Sequence, residues 1–261
     1  MALVSPHGIP ERMLIYGSPG SGKTYGAISI AKTLMQMGSP AKFHVLDSDM
    51  GAWGLMTNSD VGLGPHLNLF QAMVWEDYTA GLKSIIKVAK AGDWVVVDRI
   101  DEAWKEVAGY YIRKVYKKDP DEWFLEWQVQ SGGKGKGNPL FDAYQTGINP
   151  LYFAWEKALL RLPCNIIVVA GAAEVISEGR MADRDETKNL FWGGVKAQGQ
   201  RGMPHRYHTI LFTNQKRGEW QVTTVRERDQ ARRWMDHEKV VDLGKQYLVA
   251  TAGWRVSTNA A

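Results

Sequence analysis

Gly17-Ser-Pro-Gly-Ser-Gly-Lys-Thr24 is the stretch on which the reading of the sequence turns. It fits the phosphate-loop pattern, a glycine, four residues and then Gly-Lys-Thr, between the apolar run Arg12 to Tyr16 and a segment of helical period. That segment, Lys23 to Met37, sets Ile28, Ala31, Leu34 and Met35 on one face, and Gly38 is placed to cap it. A strand turning into a helix through glycines points backbone N–H groups and a helix N-terminus at one spot, which is what an anionic phosphate needs. Gly17, Ser18, Pro19, Gly20, Ser21, Gly22, Lys23 and Thr24 are therefore the expected phosphate cradle. Lys23 is expected to reach the β- and γ-phosphates, and the Thr24 hydroxyl to ligate Mg²⁺.

Outward from this loop, helical and apolar segments alternate. Phe43 to Leu46 is an apolar run closed by Asp47, Ser48 and Asp49, and Leu67 to Met73 is a weaker one. A helix is expected from Asp77 to Gly92, then the unbroken strand Trp94 to Val97 ending at Asp98, then a helix over Glu102 to Lys117. Helix returns at Asn149 to Leu162 and strand at Asn165 to Ala170. His208 to Thr213 and Trp220 to Arg226 flank the turn residues Asn214 to Gly218, a hairpin expected at a sheet edge. The order predicts an α/β fold: a mainly parallel central sheet flanked by helices, with a C-terminal antiparallel hairpin at its edge. One domain is expected, with long polar loops over 117–139 and 177–206 and a tail over 232–261.

The composition agrees with this class and excludes others. Of 261 residues, 44% are hydrophobic and 23% charged, which rules out a largely disordered or collagen-like chain. One cysteine, Cys164, excludes an internal disulfide and a multi-cysteine zinc site, and suits a reducing cytoplasm. No run of eighteen apolar residues occurs, and Met1 to Met13 lacks the features of a signal peptide, so no membrane association is expected. A net charge of +4 is compatible with a polyanionic partner without demanding one. Eleven tryptophans are the odd number in the list; Trp94 and Trp104 fit core positions, whereas Trp123, Trp127 and Trp192 fall in the polar loops.

A phosphate loop calls for an acidic second anchor for the metal, and Asp98, at the end of Trp94-Val-Val-Val97, is the expected one. Hydrolysis also needs a carboxylate to polarise the attacking water. Asp49, just past its strand, and Glu102, four residues after Asp98, are both candidates.

The phosphate loop, Val45-Leu-Asp-Ser-Asp49, Val95-Val-Val-Asp98 and Val225-Arg-Glu-Arg-Asp229, in this order, resemble the RecA-like P-loop NTPase core over residues 11–230. Phage-encoded RecA-like ATP-binding and single-strand annealing proteins are similar in particular. The resemblance implies ATP as the nucleotide with Mg²⁺, and favours Asp49 as the water-activating acid, although Asp stands where recombinases usually carry Glu. It implies that Arg226 and Arg228, one residue apart on a late strand, reach the nucleotide of a neighbouring subunit, and hence a homo-oligomer, ring or filament. It also places single-stranded DNA contacts in the two long loops. There the basic Lys134, Lys136, Arg180, Arg184, Lys188, Lys196 and Arg201 would follow phosphates, and Trp192 would stack on bases. The residues Gly171-Ala-Ala-Glu174 depart from the polar phosphate sensor of recombinases.

The function implied is an ATPase acting on single-stranded DNA in annealing or strand exchange, in the host cytoplasm if phage-encoded. The alternatives are the ATPase subunit of a helicase, helicase-loading or DNA-packaging motor and, against the extra strand between loop and Asp98, a nucleotide kinase.

Overall fold

Every strand beside the phosphate loop is apolar on both faces, and the computed structural model shows why. It describes residues 3–4, 9–57, 66–130, 143–174, 176–177, 180–181, 195–226, 238–239, 242–247 and 255–256. The sheet is built from β1 (Arg12–Gly17), β2 (Phe43–Asp47), β3 (Leu67–Gln71), β4 (Trp94–Asp98), β5 (Asn165–Glu174), β6 (Val195–Ala197), β7 (Thr209–Lys216), β8 (Glu219–Arg226) and β9 (Glu238–Lys239). Its order is β9-β8-β7-β1-β5-β4-β2-β3, with β6 paired to the far end of β5. From β7 to β3 all neighbours are parallel; β8, β9 and β6 pair antiparallel. The expected architecture, a mainly parallel sheet flanked by helices with an antiparallel hairpin toward one edge, is the one observed.

Alternation assigns the two faces. Leu14, Tyr16, Val95, Val97, Ile166 and Val168 pack with α3 (Trp75–Val88), α4 (Ile100–Tyr111) and α6 (Asn149–Leu160). Met13, Ile15, Val45, Val96, Ile167 and Val169 pack with α1 (Lys23–Gln36) and with Leu243 and Tyr247 near the C-terminus. With helices on both sides no strand face needs polar residues, and burying each such side chain stabilises by about 1.5–3 kcal/mol. Two tryptophans that the sequence left unassigned, Trp75 and Trp155, serve this packing. Trp155 lies 5.8 Å from Trp75 and 6.0 Å from Tyr78, and its indole N–H donates to the Tyr78 carbonyl at 3.1 Å. Trp94 stacks on Phe43 on the opposite face.

One charged residue opens the buried strand β1. The Arg12 guanidinium donates to the carbonyls of Leu162 and Cys164, each at 2.7 Å, and to that of Leu160 at 3.0 Å. It thereby satisfies carbonyls left over where α6 ends, and fixes the start of β1 against the turn into β5.

Two expectations need correction. The stretch 117–139 is not a loop throughout, because α5 (Pro120–Gln130) occupies its first half. The signal was present: Asp119 caps the helix by accepting from the Asp121 N–H at 2.9 Å, Pro120 takes the first helical position, and Asp121 and Glu122 favour the dipole. Trp123 stacks on Tyr116 at 5.3 Å, so it is packed rather than free. The stretch 177–206 likewise holds β6 and a turn of 3₁₀ helix, Met203–Arg206, whose Met203 and Pro204 are buried. Residues 131–139 lie outside those described.

Gly17 tests how tightly β7 clasps the phosphate loop, since a Cβ there would sit 2.1 Å from the Thr213 carbonyl oxygen and 2.6 Å from Ser21 Oγ. Backbone on a paired strand cannot retreat as a flexible side chain would. Gly17→Ala is expected to lower stability by about 1–3 kcal/mol in urea denaturation; an unchanged midpoint would show that the strand end is looser than drawn.

Candidate nucleotide-hydrolysis site

The parallel register assembles the site at one edge of the sheet. Gly17 ends β1 opposite Gly171 of β5 and Thr213 of β7, while Asp47 and Asp98, last residues of β2 and β4, are partners in adjacent strands. The strand lying in space between phosphate loop and Asp98 is β5, whereas β2, which separates them in sequence, lies beyond β4.

In the loop, Gly20 and Gly22 have φ of 74° and 82°, left-handed values that side chains disfavour. Gly22 begins α1 without a side-chain cap and with no acidic residue in the first turn, so the helix N-terminus offers its N–H groups and partial positive charge unopposed. Ser21 Oγ is pinned to Thr213 Oγ1 at 2.9 Å. The Lys23 ammonium donates to the Ser18 carbonyl at 2.7 Å, folding back over the loop. Burial, followed by the Arg99 charge, lowers its pKa, so an arriving anion would find a poorly solvated cation.

Across the strand ends, the Thr24 hydroxyl lies 3.1 Å from both carboxylate oxygens of Asp98. Ligand atoms of Asp47, Asp49 and Asp98 all fall within 4.8 Å of one another. Asp98 is fully buried, and burial together with the charges of Asp49 and Asp47 pushes its pKa up to about 7. Asp47 is 2% exposed and its pKa is also raised, mainly by burial; its Oδ2 accepts from the Trp53 N–H at 2.9 Å, but Oδ1 has no hydrogen-bond partner among the described residues. A buried, unpaired carboxylate oxygen is costly unless a cation compensates it. The donor set, one hydroxyl and carboxylate oxygens, is that of a hard divalent ion such as Mg²⁺, and the residues fit the ion.

Asp47 escaped the sequence reading, which weighed only Asp49 and Glu102. Its one legible signal was its place as the last residue of a buried strand. Asp49 is half-exposed and starts α2 (Gly51–Thr57), its Oδ1 accepting from the Gly51 N–H at 3.0 Å. Glu102 stands apart from the acidic trio: its Oε1 takes hydrogen bonds from Arg99 at 2.6 Å and from Lys105 at 2.9 Å. Arg99 is the second missed residue. At φ 65° it adopts a left-handed backbone, and its guanidinium bonds Asp101 at 2.8 Å as well as Glu102 and lies 3.9 Å from Asp49. Asp101 in turn accepts from the Gly171 N–H at 3.3 Å. Gln198, after β6, is the third; it brings an amide side chain against Gly171, where the sequence offered no polar residue.

The other expected residues lie elsewhere. Arg226 ends β8 opposite Ile210, whereas Val222 pairs with Thr213 beside the loop; four residues of strand, about 13 Å, separate Arg226 from that level. It is exposed and remote from this chain's own phosphate loop. Lys196 and Arg201 are exposed, and Arg180 begins a two-residue strand paired with Ile176–Ser177. Arg228, Lys134, Lys136, Arg184, Lys188 and Trp192 lie outside the described residues. Among the described residues no helix is long and apolar enough to cross a membrane.

The raised pKa of Asp98 has a consequence in metal-free protein. Its ordinary value is 3.8 and its folded value about 7, so its ionisation destabilises the fold progressively between these limits and fully above pH 7. Asp98→Asn, which keeps an acceptor for Thr24, should raise the melting temperature at pH 8 in EDTA, and the advantage should fade as pH falls toward 4. A variant less stable than wild type at pH 8 would contradict the charge argument.

No curated protein matches the chain. A family model described as an AAA domain, AAA_24, matches residues 9–236. That span contains the phosphate loop, the acidic trio and the hairpin, and the chain belongs to this family of P-loop ATPase type.

Proposed function

We propose that the protein is a Mg²⁺-dependent ATPase whose hydrolysis site is formed by the phosphate loop and the ends of β2 and β4. The observation that carries this reading is the convergence of Thr24, Asp98 and the unsatisfied Oδ1 of the buried Asp47 beside an uncapped helix N-terminus. Such a cluster has a reason to persist when a cation and a polyanion arrive together. The loop N–H groups and Lys23 would bind and orient the triphosphate; Thr24 and Asp98 would hold the metal; Asp49, half-exposed at the edge of the site, would orient the attacking water. When bound, Mg²⁺ neutralises charge on the phosphate oxygens. Arg99 ties down Glu102, which supports Asp49 over Glu102 as the water-orienting acid.

The finer part of the reading is a RecA-like role on single-stranded DNA, in annealing or strand exchange, by a homo-oligomer in which Arg226 and Arg228 serve a neighbouring subunit. Its support is the order of the motifs, the basic residues of 177–206 and the remoteness of Arg226 from its own loop.

Two measurements separate the parts. Lys23→Ala should lower phosphate release from ATP at least about 100-fold; undiminished release would remove the hydrolysis site from the phosphate loop. For DNA, the logarithm of affinity for an oligonucleotide, followed by anisotropy, should fall by about 0.7 per log unit of salt for each phosphate contacted. A flat response would refute the single-strand role and leave the ATPase standing.

A further inference from the structure

The hairpin at the sheet edge does more than close the sheet. Its turn, Arg217-Gly218, has positive φ at both residues, 52° and 81°, the geometry of a two-residue connection that matches strand twist. This tight turn locks the register, with Lys216 opposite Glu219, Gln215 opposite Trp220 and Thr213 opposite Val222. Because Thr213 is also level with Gly17, the last residues of the hairpin project past the carboxyl edge of the sheet beside the phosphate loop.

Trp220 is two residues from Val222 and therefore on the same face, the face on which Val222 packs with α1. Its indole lies over the loop: a Cβ on Gly22 would be 3.7–3.8 Å from three atoms of the ring. It stacks with Tyr25, the residue after Thr24 in the first turn of α1, at a centroid distance of 5.9 Å and an interplanar angle of 30°. Both rings stay open to solvent, Tyr25 at 40% and Trp220 at 41%. The core thus leaves uncovered an aromatic pair that abuts the phosphate cradle, on the side away from the acidic trio.

We propose that Tyr25 and Trp220 form the platform on which the base of the bound nucleotide stacks. The proposal rests on the phosphate-loop reading and extends it from the phosphates to the base. The loop and Lys23 grip the polyanionic end of the ligand, and the carboxylates at the ends of β2 and β4 mark the metal side. On the other flank the partly exposed ring pair offers aromatic surface of the kind a planar, apolar base requires. Stacking is tolerant of base identity, so the platform supplies affinity more than discrimination.

Titration calorimetry on the full chain with Mg-ATP and with Mg-tripolyphosphate, which has phosphates and no base, tests this directly. Wild type should bind ATP more tightly than tripolyphosphate. Trp220→Ala and Tyr25→Ala should each weaken ATP binding about 10- to 100-fold while leaving tripolyphosphate within twofold, and Trp220→Phe, which keeps a ring, should retain most of the ATP affinity. Equal losses on both ligands, or none on ATP, would overturn the platform while the phosphate cradle survives. A loss confined to oligonucleotide binding would overturn it too and assign the pair to a nucleic-acid strand. If wild type binds neither probe, the phosphate-loop reading fails first and takes the platform with it. Tyr25 lies on the exposed surface of α1, so its variant keeps the test decisive should Trp220→Ala not fold.

Discussion

Three carboxylates drawn within 4.8 Å of one another, two of them buried, are what the surrounding structure has to hold in place. Burial first, and the neighbouring charges second, favour protonation of Asp98 and Asp47, whose pKa values are both raised. The set stays together because the carboxylates are borne by backbone that cannot move. Asp47 and Asp98 end neighbouring parallel strands whose interiors are packed from both faces, so separating them would shear the sheet. Thr24 and Arg99 provide part of the compensation, a hydroxyl for Asp98 and a guanidinium near Asp49, and the N–H groups of Trp53 and Gly51 add hydrogen bonds to Asp47 and Asp49. Stability spent in this way is usual at functional sites, where pre-organised charge is worth more than relaxed charge.

Two of the four non-glycine residues with left-handed backbone among the described residues sit beside these carboxylates. Arg99 takes a left-handed conformation immediately after the buried Asp98, and Met50 does so immediately after Asp49. Neither is a glycine, so each carries strain that neighbouring hydrogen bonds must outweigh. At Arg99 the restraint is explicit, since bonds to Asp101 and Glu102 hold its guanidinium, and Asp101 is anchored to the Gly171 N–H of the strand between Asp98 and the phosphate loop. A chain of polar bonds thus runs from the end of the strand bearing Asp98 to the strand beside the loop.

Much of this was legible in the sequence, for physical reasons that also mark the limits. The phosphate loop, the strands ending at Asp47 and Asp98 and the hairpin could be read because apolar runs and glycine spacing are local properties. Asp47 was passed over because its importance comes from register with Asp98, a relation between strands that no window of sequence contains. Gln198, which meets Gly171 from a different strand pair, was missed for the same reason, whereas the bonds of Arg99 to Asp101 and Glu102 are local and only its approach to Asp49 is not. The segment Pro120 to Gln130 was read as loop because its apolar residues Phe124, Leu125 and Val129 remain exposed and give no clean one-sided stripe, although its cap and first turn carried an N-terminal signal. Trp220 was seen as a strand residue, but its relation to Gly22 and Tyr25 exists only once β8 folds back beside β1 through β7.

The hairpin therefore joins two ends of different character. Its turn-proximal end lies beside this chain's own phosphate loop, where Trp220 meets Tyr25, and its far end carries Arg226, six residues and about 20 Å of strand from Trp220. The stretch between them is one strand paired to β7, with a register shift at Ile210–Leu211 just before Arg226. On the proposed reading, in which Arg226 serves a neighbouring subunit, the two sites would be joined through paired backbone rather than through a mobile loop, with the near end fixed where Thr213 aligns with Gly17.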